Sequence, residues 1–264
     1  MITKVYSSQL QAGLGMIEET QALLNLWHEG MSMPELEKAA LETGQFPGVA
    51  ARRLHNLVTE GFAPRYLRDT AAPARLLKKL GPSLIRQEFE QLLFLFTCRA
   101  SSILYDFVQE VYWQMYGSGR NTISNEDART FVKRANQEGK TTTPWSEGTM
   151  TRMASHLTRT CADFGLLERS SKSVRQILPF RLEARVALVL AYDLHTAGLG
   201  DNSVLAHEDW GLFGMDRQDA LEELKQLSLQ GWLIIQSAGN VTRIDWQHKD
   251  MEELANVLVA RELQ

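Results

Sequence analysis

Residues 146–178, SEGTMTRMASHLTRTCADFGLLERSSKSVRQIL, hold the pattern that decides the fold. Ser146 is a favoured N-cap residue, and apolar side chains follow it at spacings of three and four, which predicts an amphipathic helix. The apolar face consists of Met150, Met153, Ala154, Leu157, Cys161 and Phe164. The outer face carries Arg152, Ser155, His156 and Arg159. We expect Gly165 to end the helix, because glycine readily adopts the left-handed conformation common there.

A β-hairpin rich in positive charge is predicted directly after this helix. Residues 166–169 and 174–177 flank the polar turn 170–173. The basic side chains of the segment are Arg169, Lys172 and Arg175. A basic helix face followed by a basic hairpin is typical of a winged helix, which contacts a groove and its bordering phosphates. Helix-to-hairpin joints are also common in α+β domains, so the pattern leaves both interpretations open.

The same order of elements returns about 67 residues later in the chain. Asp216 is expected to cap a helix that ends before Gly231. Its apolar stripe is Ala220, Leu221, Leu224, Leu227 and Leu229. Residues 232–235 and 241–244 then surround the turn 236–240, which predicts a second hairpin. The two helix-glycine-hairpin units indicate duplication of a small module, by pattern more than by identity.

The N-terminal region has the pattern of three short helices. Residues 15–29 form an amphipathic stretch, and Ser32 with Glu35 has the pattern of a capping box for a second helix. A third helix is expected after Pro47, with Arg52, Arg53 and Asn56 on its outer side. Because the last helix carries the basic residues, the order predicts a helix-turn-helix. A plain three-helix packing unit with a solvated basic face fits the pattern equally well.

Composition favours a globular protein. The chain has 264 residues, of which 44% are hydrophobic, and no run approaches the 18 apolar residues of a membrane span. Because the first residues lack a signal-peptide core, we expect a cytoplasmic location. Cys98 and Cys161 lie in apolar helical contexts and are expected to be buried as free thiols.

Charge is distributed unevenly along the chain. The net charge is −4, yet residues 46–86 hold 8 basic and 2 acidic side chains, and residues 140–185 hold 8 and 4. Residues 186–264 hold 5 basic and 13 acidic side chains. Affinity for phosphate depends on the local field, since charges are screened beyond about 8 Å at physiological salt. The two basic segments are therefore candidates for nucleic acid, and the acidic segment suits a protein partner or packing.

The prolines and the apolar segments in the rest of the chain give the predicted division into modules. Residues 64–86 contain three prolines and are expected to form a jointed basic connector, and residues 83–116 form very apolar helices of the central core. The fold class is mainly α with small β-hairpin wings, built from helix-turn-helix and tandem winged-helix modules. The predicted modules are an N-terminal helix-turn-helix-like module (1–80), central core helices (81–120), a winged-helix module (121–181) and a C-terminal winged-helix-like module (182–264).

Motifs of catalysis are absent from the sequence. It contains no phosphate-binding P-loop, no nucleophile elbow, no HExxH and no Cys/His spacing of a zinc site. The six histidines are scattered, and no nucleophile, base and orienting group fall together. We therefore expect a protein that is not an enzyme and that has no metal and no cofactor.

An ordered set of segments resembles the BrxA family of the BREX bacteriophage-exclusion systems over nearly the whole chain. The segments are 6–8, 18–20, 26–27, 145–149 (WSEGT), 163–167 (DFGLL), 209–214 (DWGLFG) and 238–244 (AGNVTRI). The resemblance implies a non-enzymatic component that binds double-stranded DNA. It also implies action beside a DNA methyltransferase, a PglZ phosphatase-like protein and a large ATPase. The family has been likened to the RNA-binding factor NusB, so RNA binding remains an alternative function.

The candidate DNA-binding residues follow from the patterns and not from the resemblance. Groove contacts are predicted for Thr149, Arg152, Ser155 and Arg159. Phosphate contacts from the wing are predicted for Arg169, Lys172 and Arg175, and a second patch for Arg52, Arg53 and Asn56. The predicted function is binding of duplex DNA with limited sequence preference, without a membrane. The alternatives are a protein-interaction scaffold for other BREX subunits and RNA binding.

Overall fold

The computed structural model describes residues 5–11, 16–46, 48–68, 70–238 and 241–262. The chain divides into two compact units. Unit 1 consists of Met1–Arg75 and Leu93–Phe180, and unit 2 consists of Leu76–Leu92 and Arg181–Gln264. The four modules predicted from the sequence divide the chain at other places and stay a prediction.

The structure describes eight α-helices in the first 120 residues. In chain order they are α1 (Ile17–Leu26), α2 (Met33–Glu42), α3 (Ala51–Asn56), α4 (Ala63–Tyr66), α5 (Ala72–Leu80), α6 (Arg86–Ala100), α7 (Ser102–Phe107) and α8 (Trp113–Gly117). Short 3₁₀ turns cover Ser8–Gln11 and Gly81–Ser83. Ser32 caps α2, and its side chain and that of Glu35 form the predicted capping box. Pro47, the predicted start of the third helix, lies outside the described residues.

Residues 64–86 are more helical than the predicted connector. A π-helical turn, Leu57–Phe62, joins α3 to α4, so the helix continues through Pro64. A proline inside a helix removes one backbone bond and crowds the carbonyl four residues earlier, here that of Glu60. Glu60 lies in the wider π turn, which gives that carbonyl room. The helix therefore accommodates the proline, and α5 follows shortly afterwards.

The rest of unit 1 places two long helices between two short strands. These elements are β1 (Thr122–Ser124), α9 (Asn125–Gln137), α10 (Glu147–Asp163) and β2 (Val174–Gln176). β1 pairs antiparallel with β2, with Ile123 opposite Arg175. Leu167 and Ile177 form an isolated antiparallel bridge beside this pair. The predicted hairpin 166–177 is thus reduced to this bridge, with backbone bonds from Glu168 to Gln176 and from Leu178 to Leu166. The other edge of β2 pairs with β1, which the sequence analysis missed.

Aromatic contacts join several elements in the core of unit 1. Phe94 contacts Phe164 and Phe180 at ring-centroid distances of 5.6 and 5.8 Å. Phe107 meets Phe131 edge-on at 5.6 Å, which joins the central helices to α9. Such pairs contribute about 1 kcal/mol each beyond their buried area. Both cysteines are buried and free, as predicted.

Unit 2 contains the second predicted helix and hairpin. Its later elements are α11 (Ala184–Thr196), α12 (Asp201–Leu205), a 3₁₀ turn (Glu208–Phe213), α13 (Arg217–Leu229), β3 (Leu233–Ala238), β4 (Val241–Trp246) and α14 (Met251–Glu262). Asp216 caps α13, as predicted, and Asp219 completes a capping box with it. Gly231 has a φ of +78°, which favours glycine and reverses the chain into β3. Gly239 and Asn240 of the predicted turn lie outside the described residues.

The mainly helical class with small antiparallel strand pairs is confirmed in the part of the chain that the structure describes. The helix-turn-helix and winged-helix modules stay predictions. Across the same described ranges, no helix combines the length and the apolar character that crossing a bilayer requires.

Candidate nucleic-acid interface

The candidate site is built on α9, α10 and the turn between them. Ser124 caps α9 in a capping box with Asp127, and Ser146 caps α10 by accepting a bond of 3.3 Å from the Thr149 amide. Arg129 of α9 pairs with Glu147, the first residue of α10, at 2.8 Å. These contacts fix where α10 begins and how it lies against α9. The exposed face of α10 is therefore held by its partner helix and not by α10 alone.

Asn136, near the end of α9, fixes the turn between the two helices. Its side-chain oxygen accepts from the Thr141 hydroxyl at 3.0 Å and from the Trp145 amide at 2.8 Å. Its amide nitrogen donates to the Trp145 carbonyl at 3.3 Å. A single side chain thereby satisfies backbone groups of the segment that leads into α10. Asn136 is a positioning residue that the sequence analysis missed.

Tyr6 attaches the N-terminal segment to the same turn. Its backbone amide donates to the Lys140 carbonyl at 2.6 Å, and its own carbonyl accepts from Thr142 at 3.0 Å. The buried phenol donates to Asp106 at 2.6 Å. Burial and the neighbouring carboxylate raise the pKa of Tyr6 well above its usual range, so the phenol stays protonated and remains a donor. This segment supports the turn from outside the two helices.

The predicted groove residues lie on the outer side of α10. Arg152 and Arg159 are exposed, and Thr149 and Ser155 are half-buried. Their spacings place them on one face, and the two arginines lie about 10 Å apart along the helix axis. No Asp or Glu occurs between residues 148 and 162. Among the side chains that the structure describes, no carboxylate forms an ion pair with either arginine. The middle of this face is thus positive, and the acids of α10 are its end residues, Glu147 and Asp163.

The pKa of His156 reflects the positive charge on this face of α10. Its pKa is lowered, first by burial and then by the charges of Arg159 and Arg152. Both guanidinium groups are therefore close enough to disfavour a third positive charge between them. The Nδ1 atom of His156 is buried and has no hydrogen-bond partner in the described ranges. The two arginines carry the positive charge of this face, and His156 lies between them.

The turn after α10 adds two exposed basic residues. Arg169 donates to the carbonyl of Asp163 at 3.0 Å, where a cation interacts favourably with the helix C-terminus. Lys172 is exposed, and its amide donates to the Ser170 hydroxyl at 3.1 Å. We call Arg152, Arg159, Arg169 and Lys172 together the α10 basic group. The side chains of this group are the exposed cations of the predicted helix and wing.

Arg175 differs from its predicted place. Its side chain is 4% exposed and donates to the carbonyl of Ser170, so it faces inward across the turn. Burial and the charge of Arg159 lower its pKa. The register of β2 explains the burial, because the pairing of Arg175 with Ile123 turns this position toward the interior and leaves Val174 exposed. Arg175 supports the turn and does not join the exposed group.

The second predicted patch lies on α3 of the same unit. Arg52 and Arg53 are exposed and Asn56 is half-buried. No contact recorded among the described residues brings them together with the α10 basic group. Two other cations of this basic segment are engaged elsewhere, since Arg65 is buried and Arg75 pairs with Glu29 at 2.7 Å. Neither Arg65 nor Arg75 belongs to the predicted patch, which stays a prediction.

A metal-binding arrangement is not found among the described residues: no group of three or more His, Cys, Asp and Glu side chains is placed to hold an ion.

Comparison with known proteins gives one finding. The model of the BrxA family matches residues 4–193. No curated protein and no solved structure matches the chain. The matched range contains the N-terminal segment, α9, α10 and the turn after α10, and it ends inside α11. Because the match covers well over half of the sequence, the chain belongs to the BrxA family.

Proposed function

We propose that this chain binds double-stranded DNA through the outer face of α10 and the turn that follows it. Membership of the BrxA family makes the chain a component of a BREX bacteriophage-exclusion system. The observation that carries the proposal is the outer side of α10 between its end residues, where residues 148–162 contain no Asp or Glu and Arg152 and Arg159 flank His156. A helix of about 10–12 Å diameter fits the major groove of B-DNA, which is about 12 Å wide.

The order of elements supports a winged-helix mode of binding. A strand, two helices joined by a turn, a basic turn and a returning strand follow one another from β1 to β2. In that arrangement the second helix enters the groove and the wing contacts the adjacent backbone. Thr149 and Ser155 would then face base edges or sugars, and Arg152 and Arg159 would hold phosphates or base edges. Arg169 and Lys172 would hold phosphates beside the groove.

Limited sequence preference follows from the kinds of side chain on this face. Phosphate contacts supply most of the affinity in sequence-independent binding, and the exposed cations outnumber the groups that discriminate bases. The proposed role includes no catalysis and no cofactor. The BREX methyltransferase, PglZ-like protein and ATPase are the proposed partners in the same system.

The test is a salt titration of binding to a fluorescent duplex of about 30 base pairs, roughly three helical turns. A matched RNA duplex and a single strand are titrated in parallel. We expect duplex DNA to bind most tightly, with an affinity that falls steeply between about 0.05 and 0.2 M salt. Preference for RNA would favour the RNA-binding alternative, since exposed bases and A-form shape are what RNA-binding proteins recognise. No binding at low salt would overturn the proposal and favour a scaffold.

A further inference from the structure

We propose that His156 contacts DNA as an uncharged hydrogen-bond donor, through its Nε2–H, at the centre of the α10 face. This contact belongs to the DNA-binding surface of the proposed function and rests on it. His156 was not among the candidate DNA-binding residues of the sequence analysis. The acceptor on DNA is a phosphate oxygen or the N7 atom of a purine in the major groove.

The imidazole lies between the two exposed arginines of α10. At a rise of about 1.5 Å per residue, His156 is about 6 Å from Arg152 and about 4.5 Å from Arg159 along the helix axis. Spacings of four and three residues place the three side chains on one side of the helix. The charges of both arginines lower the pKa of His156, which requires them to be close to the ring. DNA that is held by both arginines therefore also meets the imidazole.

The two ring nitrogens of His156 lie in different surroundings. Nδ1 is buried and has no hydrogen-bond partner in the described ranges, whereas Nε2 is neither buried nor bonded to another described residue. A buried N–H without an acceptor is rarer in proteins than a buried acceptor without a donor. The neutral ring therefore carries its proton on Nε2, so the atom that reaches the surface is a donor.

The surroundings of the ring keep it uncharged. Protonation of Nδ1 would bury a charged donor without an acceptor, beside two groups that are already positive. The 3₁₀ turn Ser8–Gln11 and α9 pack against α10. The turn has no charged residue, and the acids of α9, Glu126 and Asp127, are paired with other arginines. Glu147 and Asp163, the acids of α10, lie more than about 10 Å from the ring along the axis.

An uncharged donor has a different signature from a cation in a salt titration. A cation that holds a phosphate releases counterions, so each such contact contributes about 0.9 to the slope of log K against log salt. A hydrogen bond from a neutral imidazole releases none. Loss of the His156 contact should therefore lower the affinity for DNA and leave the salt slope unchanged.

The experiment titrates labelled duplex DNA with the full-length protein and the matched variants H156Q and H156M. Gln and Met side chains have similar length and no charge, but only Gln has a donor. We expect H156M to bind about threefold to tenfold more weakly, the contribution of one neutral hydrogen bond, and H156Q to bind within about twofold of the wild type. Both variants should keep the wild-type slope, and urea unfolding shows that each is folded.

A pH profile separates the neutral donor from an imidazolium formed on binding. The ratio of the wild-type Kd to the H156Q Kd should stay constant between about pH 7 and 8.5, because the ring is neutral in the free and bound states. If DNA binding instead added a proton to the ring, the wild type would gain on H156Q as the pH fell. Its salt slope would also exceed that of H156Q by about 0.9. Either result would overturn the proposal.

A duplex that contains 7-deazapurines in place of purines identifies the acceptor. If the acceptor is a purine N7, the difference between the wild type and H156M should disappear on this duplex. If the acceptor is a phosphate oxygen, the difference should persist. Both results support a hydrogen bond from His156 and differ only in the atom that accepts it.

The failure of this contact is distinguishable from the failure of DNA binding. Equal affinity of the wild type and H156M for a duplex that both bind with a steep salt slope would refute the contact and leave the proposed function standing. An equal loss in H156Q and H156M would assign the loss to packing of the ring and also refute the donor. A wild type that does not bind duplex DNA at low salt would overturn the contact together with the proposed function.

Discussion

Replacing Arg152 and Arg159 together by alanine is the sharpest test of the α10 surface. Both side chains are exposed, lie on one helix face and lower the pKa of the histidine between them. If each holds one phosphate, the double variant loses two contacts. Each phosphate contact contributes about 0.9 to the slope of log K against log salt, so the slope should become less steep by about 1.8.

The same relation gives the loss of affinity. At about 0.1 M salt, one phosphate contact corresponds to roughly an eightfold change in the binding constant, and two correspond to about 60-fold. This equals about 2.4 kcal/mol of binding free energy. The loss should be nearly the same for duplexes of different sequence if the arginines contact phosphates, and unequal if they read base edges.

The assay is fluorescence anisotropy on the labelled duplex at several salt concentrations, with urea unfolding to show that the variant remains folded. R243A/K249A is the matched control, because it removes two exposed positive charges from unit 2. It should leave the salt slope unchanged. An equal loss of slope in both double variants would mean that net charge and not the α10 face governs binding, and an unchanged slope in the folded R152A/R159A variant would refute the assignment.

Three further predictions concern the support of this face. K172A should reduce the salt slope of DNA binding by about 1 without changing the urea midpoint. R175A should leave that slope unchanged and lower the free energy of unfolding by about 1–2 kcal/mol, because it removes a buried hydrogen bond to the Ser170 carbonyl. N136A should destabilise the protein by about 2–3 kcal/mol in urea unfolding, because it leaves the Trp145 amide and carbonyl without their partner, and N136D should restore only the accepted bonds. The lowered pKa of His156 means that folding disfavours protonation of its imidazole. The free energy of unfolding is therefore highest above the unfolded-state pKa of about 6.5 and falls as the pH decreases below it. The urea midpoint of the wild type should drop more between pH 8 and pH 5 than that of H156Q, and an equal drop would contradict the linkage.

The elements that sequence reasoning placed well are those whose ends carry local chemical signals. Ser32, Ser146 and Asp216 each accept backbone amides of the helix they precede, as their positions predicted. The apolar stripe from Met150 to Phe164 is buried as its spacing required. Caps and helical periodicity act over a few residues, so one sequence contains all the information needed to recognise them.

The contacts that sequence reasoning missed depend on partners far away in the chain. β1 has only Ile123 as an apolar signal, and its partner β2 lies about 50 residues later. Arg175 of β2 is predicted as an exposed contact of the wing, and the structure instead buries it and leaves Val174 exposed. Strand register decides which face a residue takes, and here the distant partner sets the register. The sequence analysis also missed the attachment of Tyr6 to the turn at 140–142, because the partners lie far apart in the chain.

Net charge is a poor guide to the partners of this chain. A protein with a net charge of −4 would repel DNA if its charge were uniform, but Arg152 and Arg159 belong to a stretch without any carboxylate from residue 148 to 162. Screening restricts each charge to a neighbourhood of about 8 Å at physiological salt, which is smaller than either unit. The phosphates would therefore meet the local field of α10 and not the average charge of the chain. R152A/R159A removes two charges of that field, whereas R243A/K249A removes two positive charges elsewhere, so the two double variants separate the effect of the local field from that of net charge.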